Sequence, residues 1–344
     1  MLAGQKRLNR SLDYLLQATQ ANKVRLTKSH RLVIFSDHHR GTRTRADDFA
    51  NNEETYLTAL DHYHQSEFAL VLLGDVEELW EEKADAVFKS YVDVSKSEAR
   101  FYPGRYMRLF GNHDINWSWP RAIQKYLHPL LPDLDVPEAF LFEFDTDEEE
   151  NGQILLIHGH QGTFFSDVLL LLSASLVRIF WRTYQILTGG GQTTPAEDAC
   201  IRGAHDQRMY NWVSEQQKTI LIAGHTHRPV WSSRTHLEKL LSQMQHLQEM
   251  PLEERPPDYK DRLEKLKAEI ARRTKEYPPC GDTVKPKPCY FNTGCCSFSD
   301  GDITGIEIEG EVIRLIKWGK SKEDKIIKRT ILEEARLADI FFML

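Results

Sequence analysis

Leu32-Val33-Ile34-Phe35-Ser36-Asp37-His38-His39 is a short apolar run that ends abruptly in an acid and two imidazoles. Brief apolar runs rich in β-branched and aromatic residues read as buried strands, so the polar tail falls where strand turns to loop. The construction recurs along the chain. Ala69–Leu73 runs into Gly74-Asp75, and Tyr106–Phe110 into Gly111-Asn112-His113-Asp114. Ile154–Ile157 runs into His158-Gly159-His160, and Thr219–Ala223 into Gly224-His225-Thr226-His227. The first four clusters recur at intervals of roughly 35 to 45 residues, close to the size of a strand–helix repeat. Ligands of α/β sheets gather beyond the carboxyl ends of strands. The pattern therefore predicts one convergent site assembled from five loops.

The residue types in those loops suggest a chemistry. Hydrolysing a phosphate ester near neutral pH needs a strong nucleophile and neutralisation of charge on the phosphoryl oxygens. Two divalent ions a few ångströms apart supply both, and a shared carboxylate holds them that close. Asp37-x-His39 sets two donors on alternate residues at a strand end, where both can turn toward one ion. Asp75 follows a glycine, as a bridging ligand in a tight loop would. Asn112, His158, His225 and His227 complete two half-sites. Mixed imidazole and oxygen donors suit manganese, zinc or iron, whereas magnesium favours oxygen alone.

Taken in order, Asp37-x-His39, Gly74-Asp75-x-x-Glu78, Gly111-Asn112-His113-Asp114, His158 and Gly224-His225-Thr226-His227 resemble the signature of the calcineurin-like metallophosphoesterases. The resemblance covers roughly residues 31–230, and Asn292-Thr293-Gly294 resembles the trailing element of that family. It implies one metal held by Asp37, His39, Asp75 and His227, and a second held by Asp75, Asn112, His158 and His225. It also implies attack by a hydroxide bridging the two ions. His113 would protonate the leaving oxygen or hold the phosphate, with Asp114 orienting its ring. The chain departs from the pattern in places. Glu78 stands where the family has Asp, His38 and Arg40 replace apolar neighbours, and His160 stands where an Asp often follows His-Gly. Either His158 or His160 is then the ligand, and His158 is favoured because it directly follows the strand. Gly74–Trp80, an insertion after His158, and Gly224–Pro229 are together similar to the UDP-2,3-diacylglucosamine pyrophosphohydrolases of lipid A synthesis. That likeness implies a lid over acyl chains, for which Val168–Ile186 with Phe164, Phe165 and Trp181 is the candidate; ordinary packing or an oligomer contact is the other reading of the same stretch.

Around these motifs the chain is ordinary for a globular protein. It has 344 residues, 41% of them hydrophobic, enough for a large core. The net charge of −7 supplies no global basic field, which makes nucleic acid the weaker class of partner. Five cysteines form no disulfide framework and read as reduced thiols of a cytosolic protein. Cys280, Cys289, Cys295 and Cys296 fit no paired zinc spacing. The N-terminus lacks a secretory h-region. Val168–Val177 is about half the length of a membrane-spanning helix, leaving peripheral membrane contact as the most that it suggests.

The expected architecture is a single domain over 1–344: an α/β sandwich of two face-to-face β-sheets with helices outside. It would carry an N-terminal helical extension (1–30), a helical insertion (164–217), a charged helical hairpin (235–277) and C-terminal strands (288–320). A hairpin turned at Glu309-Gly310 would join Ile303–Ile308 to Val312–Trp318. The Thr235–Lys275 charges form a solvated face, and His62, His64 and His128 read as core residues. Arg43, Arg45, Arg202 and Arg228 could reach a substrate phosphate. The expected function is hydrolysis of a phosphomonoester or phosphodiester through two divalent metal ions, on a phosphorylated small molecule. A nucleotide-lipid pyrophosphatase is the first alternative, and a non-catalytic metal-binding scaffold the second. A nuclease would need a basic groove. The oligomeric state is left open.

Overall fold

Alternation along the strands decides how the layers stack. In β2 (Arg31–Phe35), Leu32 and Ile34 enter one apolar cluster while Val33 and Phe35 enter another. In β3 (Ala69–Leu73), Val71 and Leu73 join the first and Leu70 and Leu72 the second. In β6 (Gly152–Ile157) and β7 (Thr219–Ala223), Ile154, Leu156, Ile220 and Ile222 point into the first cluster. Leu155, Ile157, Leu221 and Ala223 point into a third. Successive strand side chains face opposite ways. Strands apolar on both faces must therefore be covered on both, and the shared cluster is the seam between two sheets.

The computed structural model describes residues 2–144, 151–162, 199–251, 255–276, 287–321, 323 and 325–344. Within them lie a six-stranded sheet of order β13-β12-β11-β2-β3-β4 and a seven-stranded sheet of order β1-β5-β6-β7-β10-β8-β9. The remaining strands are β1 (Val24–Leu26), β4 (Tyr106–Leu109), β5 (Ala139–Phe144), β8 (Pro229–Trp231), β9 (Arg234–Thr235), β10 (Tyr290–Thr293), β11 (Ile303–Glu309), β12 (Val312–Lys320) and β13 (Ile327–Arg336). β2, β3 and β4 run parallel, as do β6, β7 and β10. The five motif-bearing runs are thus divided between the sheets, three in one and two in the other.

Helices cover both outer faces. α2 (Glu53–Gln65), α3 (Ala84–Ser90), α4 (Val92–Ala99) and α5 (Pro120–Tyr126) pack Tyr56, Leu60, Val87, Val94 and Ile123 on the six-stranded sheet. α1 (Leu2–Thr19) buries Leu8, Leu12 and Leu15 on the seven-stranded sheet, beside Met209, Trp212 and Val213 of α6 (Ala199–Val213). α7 (His236–Glu249) and α8 (Tyr259–Glu276) pack on each other, and α8 carries exposed ion pairs such as Lys265 with Asp261. Among the described residues no helix is long and apolar enough to cross a membrane. Val168–Ile186, with Phe164, Phe165 and Trp181, lies outside the described residues.

The C-terminal hairpin turns at Gly310, with Glu309 opposite Val312. It is followed by a strand and a helix that lie beyond the expected C-terminal strands. β13 is half-buried to exposed and heavily charged, so its sequence reads as surface. One of those charges is structural: Arg329 Nε donates to Glu307 Oε1 at 2.6 Å, and Glu307 is fully buried and also receives the Tyr63 hydroxyl. α9 (Leu337–Phe342) then closes the inter-sheet seam with Leu337, Ile340 and Phe341.

That last helix gives a paired test. Phe341 is fully buried against Gly152 while its neighbour Phe342 is 76% exposed. Urea unfolding should show Phe341→Ala losing about 3–5 kcal/mol. Phe342→Ala should stay within about 0.5 kcal/mol of the parent.

Candidate metal centre

Beyond Phe35 and Leu73 the two parallel strands keep pairing while their backbones curl. Asp37 N donates to Gly74 O (3.2 Å), His39 N to Asp75 O (3.0 Å) and Arg40 N to Val76 O (3.0 Å). Asp37 (φ 54°), His39 (50°) and Asp75 (50°) are nevertheless left-handed, as are His225 (69°) and His227 (54°). That conformation costs a residue with a Cβ roughly 1–2 kcal/mol. Such strain persists where surrounding contacts over-determine it, and it clusters at functional sites. Two glycines let the loops meet. A Cβ on Gly74 would overlap the backbone of Gly111, and one on Gly111 would overlap the Asp75 carboxylate.

The curl turns Asp37, His39 and Asp75 to a common edge, where the loops from the other sheet join them. His227 Nε2 lies 3.2 Å from Asp37 Oδ1 and 3.1 Å from His39 Nε2. His158 Nε2 lies 3.1 Å from Asp75 Oδ2 and 3.2 Å from Asn112 Oδ1. Asp75 Oδ2 is also 3.9 Å from His39 Nε2, so this carboxylate stands between the two groupings. Donor atoms converge within 4.8 Å in three overlapping sets: Asp37–His39–His227, His39–Asp75–His113 and Asp75–His158–His225. His160 is in none of them. It is buried beside Phe110 and His158, and burial pushes its imidazole down to about 3.

These residues fit a divalent ion on grounds of their own. Asp37 Oδ1 is buried and, among the described residues, takes no hydrogen bond of good geometry while facing two imidazole nitrogens. The other Asp37 oxygen is occupied by the His225 amide (2.9 Å) and the Ser36 hydroxyl. His158 Nδ1 bonds the Leu73 carbonyl at 2.8 Å, which leaves Nε2 to face the cluster. The charges are mutually dependent. Burial alone would raise the Asp75 carboxyl, but His158, His113 and His39 hold it below the usual carboxylate range. Burial alone would lower His158, but Asp75 lifts it to about 9.

Beneath the edge lies a buried ionic network. Arg108 donates to Asp114 (3.0 Å) and grips both oxygens of Glu77, while Arg40 donates to Glu77 (3.1 Å) and Glu98 (3.3 Å). Trp117 Nε1 and the Tyr56 hydroxyl complete the set, each at 2.9 Å from a carboxylate oxygen. Asp114 accepts from the amides of Gly111 (2.6 Å), Asp75 (3.2 Å) and Val76 (2.9 Å). It thus stitches the Asp75 loop to the Asn112 loop. The carboxylate against the His113 ring is Glu78, whose Oε2 lies 2.6 Å from His113 Nδ1 and 3.1 Å from His39 Nδ1. Burial works against the Glu78 charge, yet His113 and His39 bring it down to about 2. Trp80 stacks face to face on the His113 ring, with centroids 4.0 Å apart and an interplanar angle of 22°.

Sequence reasoning left Glu77, Glu78, Trp80 and Arg108 without roles. The available signal was Arg108 inside an apolar strand and two adjacent acids between Val76 and Leu79, since buried charges mark paired networks. Of the arginines considered for phosphate, Arg43 is bound to Glu53 at 2.6 and 2.7 Å, and Arg228 Nη1 is 3.8 Å from Asp206 Oδ2.

A family model described as Calcineurin-like phosphoesterase matches residues 30–229. No curated protein matches the chain. Among solved structures, it is similar to Vacuolar Protein Sorting 29 from Cryptosporidium parvum, with 11% identity and a TM-score of 0.38 over 89% of this chain and 98% of that one. A single mutant of Vps29 from Entamoeba histolytica gives 10% identity and a TM-score of 0.31, over 88% and 99%. Likeness at that level says nothing about activity.

The His158 value sets a pH dependence for the metal-free protein. Its folded value of about 9 lies above that of an unfolded imidazole, about 6.5. The stability it contributes is therefore complete below about pH 6.5 and is lost as pH climbs toward 9. His39 is also raised and acts in the same direction. Melting of chelator-treated protein should fall from about pH 6.5 to 8.5, and His158→Gln should flatten that slope. A parent slope of zero or opposite sign would contradict the assigned coupling.

Proposed function

Since the chain belongs to the calcineurin-like phosphoesterase family, we propose that it hydrolyses a phosphomonoester or phosphodiester at a dinuclear metal centre. Asp37, His39, Asp75 and His227 would hold one ion, and Asp75, Asn112, His158 and His225 the other. The observation that carries this reading is the position of Asp75 Oδ2, 3.1 Å from His158 and 3.9 Å from His39. A single buried carboxylate between two sets of imidazoles is an arrangement that suits two closely spaced cations. When bound, the ions supply an acidified water and neutralise the phosphoryl oxygens, and manganese, zinc or iron each suit the donors.

The protein's own part is orientation and proton handling. Glu78 engages His113 at Nδ1 and Trp80 covers one face of the ring, leaving Nε2 to deliver a proton to the leaving-group oxygen. Glu78 also engages His39, so one carboxylate aligns a metal ligand with the general acid. Asp114 acts one step further back by holding the amides of the loop that carries Asp75. The complete donor set with His113 in place favours an enzyme over a metal-binding scaffold.

A panel of a chromogenic phosphomonoester, a phosphodiester and a UDP-linked lipid pyrophosphate, assayed with Mn²⁺, Zn²⁺ or chelator, tests the reading. Turnover should be chelator-sensitive and abolished by Asp75→Asn. His113→Ala should cut kcat by about 10²–10⁴. Metal-loaded protein inert on every member would favour the scaffold.

Orientation by Glu78 has its own consequence. Glu78→Gln should lower kcat by about 10- to 100-fold with KM little changed. A kcat equal to that of the parent would remove the aligning role.

A further inference from the structure

The loop that carries His225 and His227 is strained at both histidines, and its middle residue faces the other way. Thr226 is buried, and its hydroxyl donates to Asp206 Oδ1 of α6 at 3.0 Å. The Tyr290 hydroxyl donates to the same oxygen at 2.8 Å. Asn292 Nδ2 joins the group, reaching the Gly224 carbonyl at 2.6 Å and Thr226 Oγ1 at 3.2 Å. One residue earlier on α6, His205 Nε2 donates to the Gly159 carbonyl at 2.6 Å, in the loop that carries His158. The His205 ring also meets the His225 ring edge-on, with centroids 5.4 Å apart.

Two consecutive residues of one helix therefore grip both ligand-bearing loops of the seven-stranded sheet. His205, Asp206, Thr226, Tyr290 and Asn292 are all buried, so each lost hydrogen bond would leave a polar atom without water. A strained loop keeps its shape only while such contacts over-determine it. We propose that His205 and Asp206 are positioning residues for the metal centre, fixing the distance between His158 and the His225–His227 loop and so the affinity for the ions. This inference rests on the metal centre proposed above.

The test is Mn²⁺ binding by calorimetry, alongside melting temperature and the split between kcat and KM. Wild type, Asp206→Ala, Asp206→Asn and Tyr290→Phe are compared. Asp206→Ala removes the acceptor of both hydroxyls and should weaken Mn²⁺ binding about tenfold or more. Asp206→Asn keeps an acceptor oxygen in place and should stay within about threefold of wild type. Tyr290→Phe should weaken binding by about threefold. In both weakened variants, excess Mn²⁺ should restore most of kcat with KM unchanged. Wild-type Mn²⁺ affinity in Asp206→Ala and Tyr290→Phe, whatever their melting temperatures, would overturn the inference. If Asp206→Ala does not fold, Tyr290→Phe decides alone. A wild type that binds neither Mn²⁺ nor Zn²⁺ would instead remove the proposed function, and the inference with it.

Discussion

The attraction between the buried Asp75 carboxylate and the imidazoles around it is the interaction on which the rest of the site depends. A lone carboxylate removed from water is too costly to keep ionised, and it persists only where positive or metal partners surround it. Asp75 is met by His158 at 3.1 Å on one oxygen and by the His113 amide at 2.7 Å on the other. Meeting them requires the loops after β2, β3, β4 and β6 to approach within side-chain reach. Glycine at 74 and 111 removes the Cβ atoms that would keep them apart.

Holding those loops is the work of the network below. Arg108 and Arg40 bind Glu77, Glu98 and Asp114 out of contact with solvent, and Asp114 spends its remaining capacity on three loop amides. A buried network of this kind contributes little net stability over a well-packed apolar one, but breaking it by removing one partner is expensive. Its consequence here is geometric. The left-handed residues that aim the donors are held in place from beneath by ionic contacts and from the far side by the polar cluster of α6 and β10.

Much of this was legible from residue order. Apolar runs ending in Asp, His or Gly-Asn-His marked both the strands and the loops after them, because burial and chemistry obey different periodicities. Two stacked sheets with outer helices were implied by the family resemblance, and the strands that are apolar on both faces show the physical reason for them. What stayed hidden depended on contacts distant in sequence. Arg329 of β13 looks like surface charge until its partner Glu307 is seen, 22 residues away and fully buried. Glu78 looked like a conservative departure, and only the fold shows it touching both His39 and His113. Asp114 was expected beside the His113 ring, whereas adjacency in sequence here sends its carboxylate back to the amides of its own and the preceding loop.

The most direct test of the central claim is electron paramagnetic resonance of the protein titrated with Mn²⁺. Asp75 shared between two sites predicts two bound ions per chain and a spin-coupled signal, with Asp75→Asn losing the coupling. One isolated Mn²⁺ per chain, or coupling that survives Asp75→Asn, would contradict it.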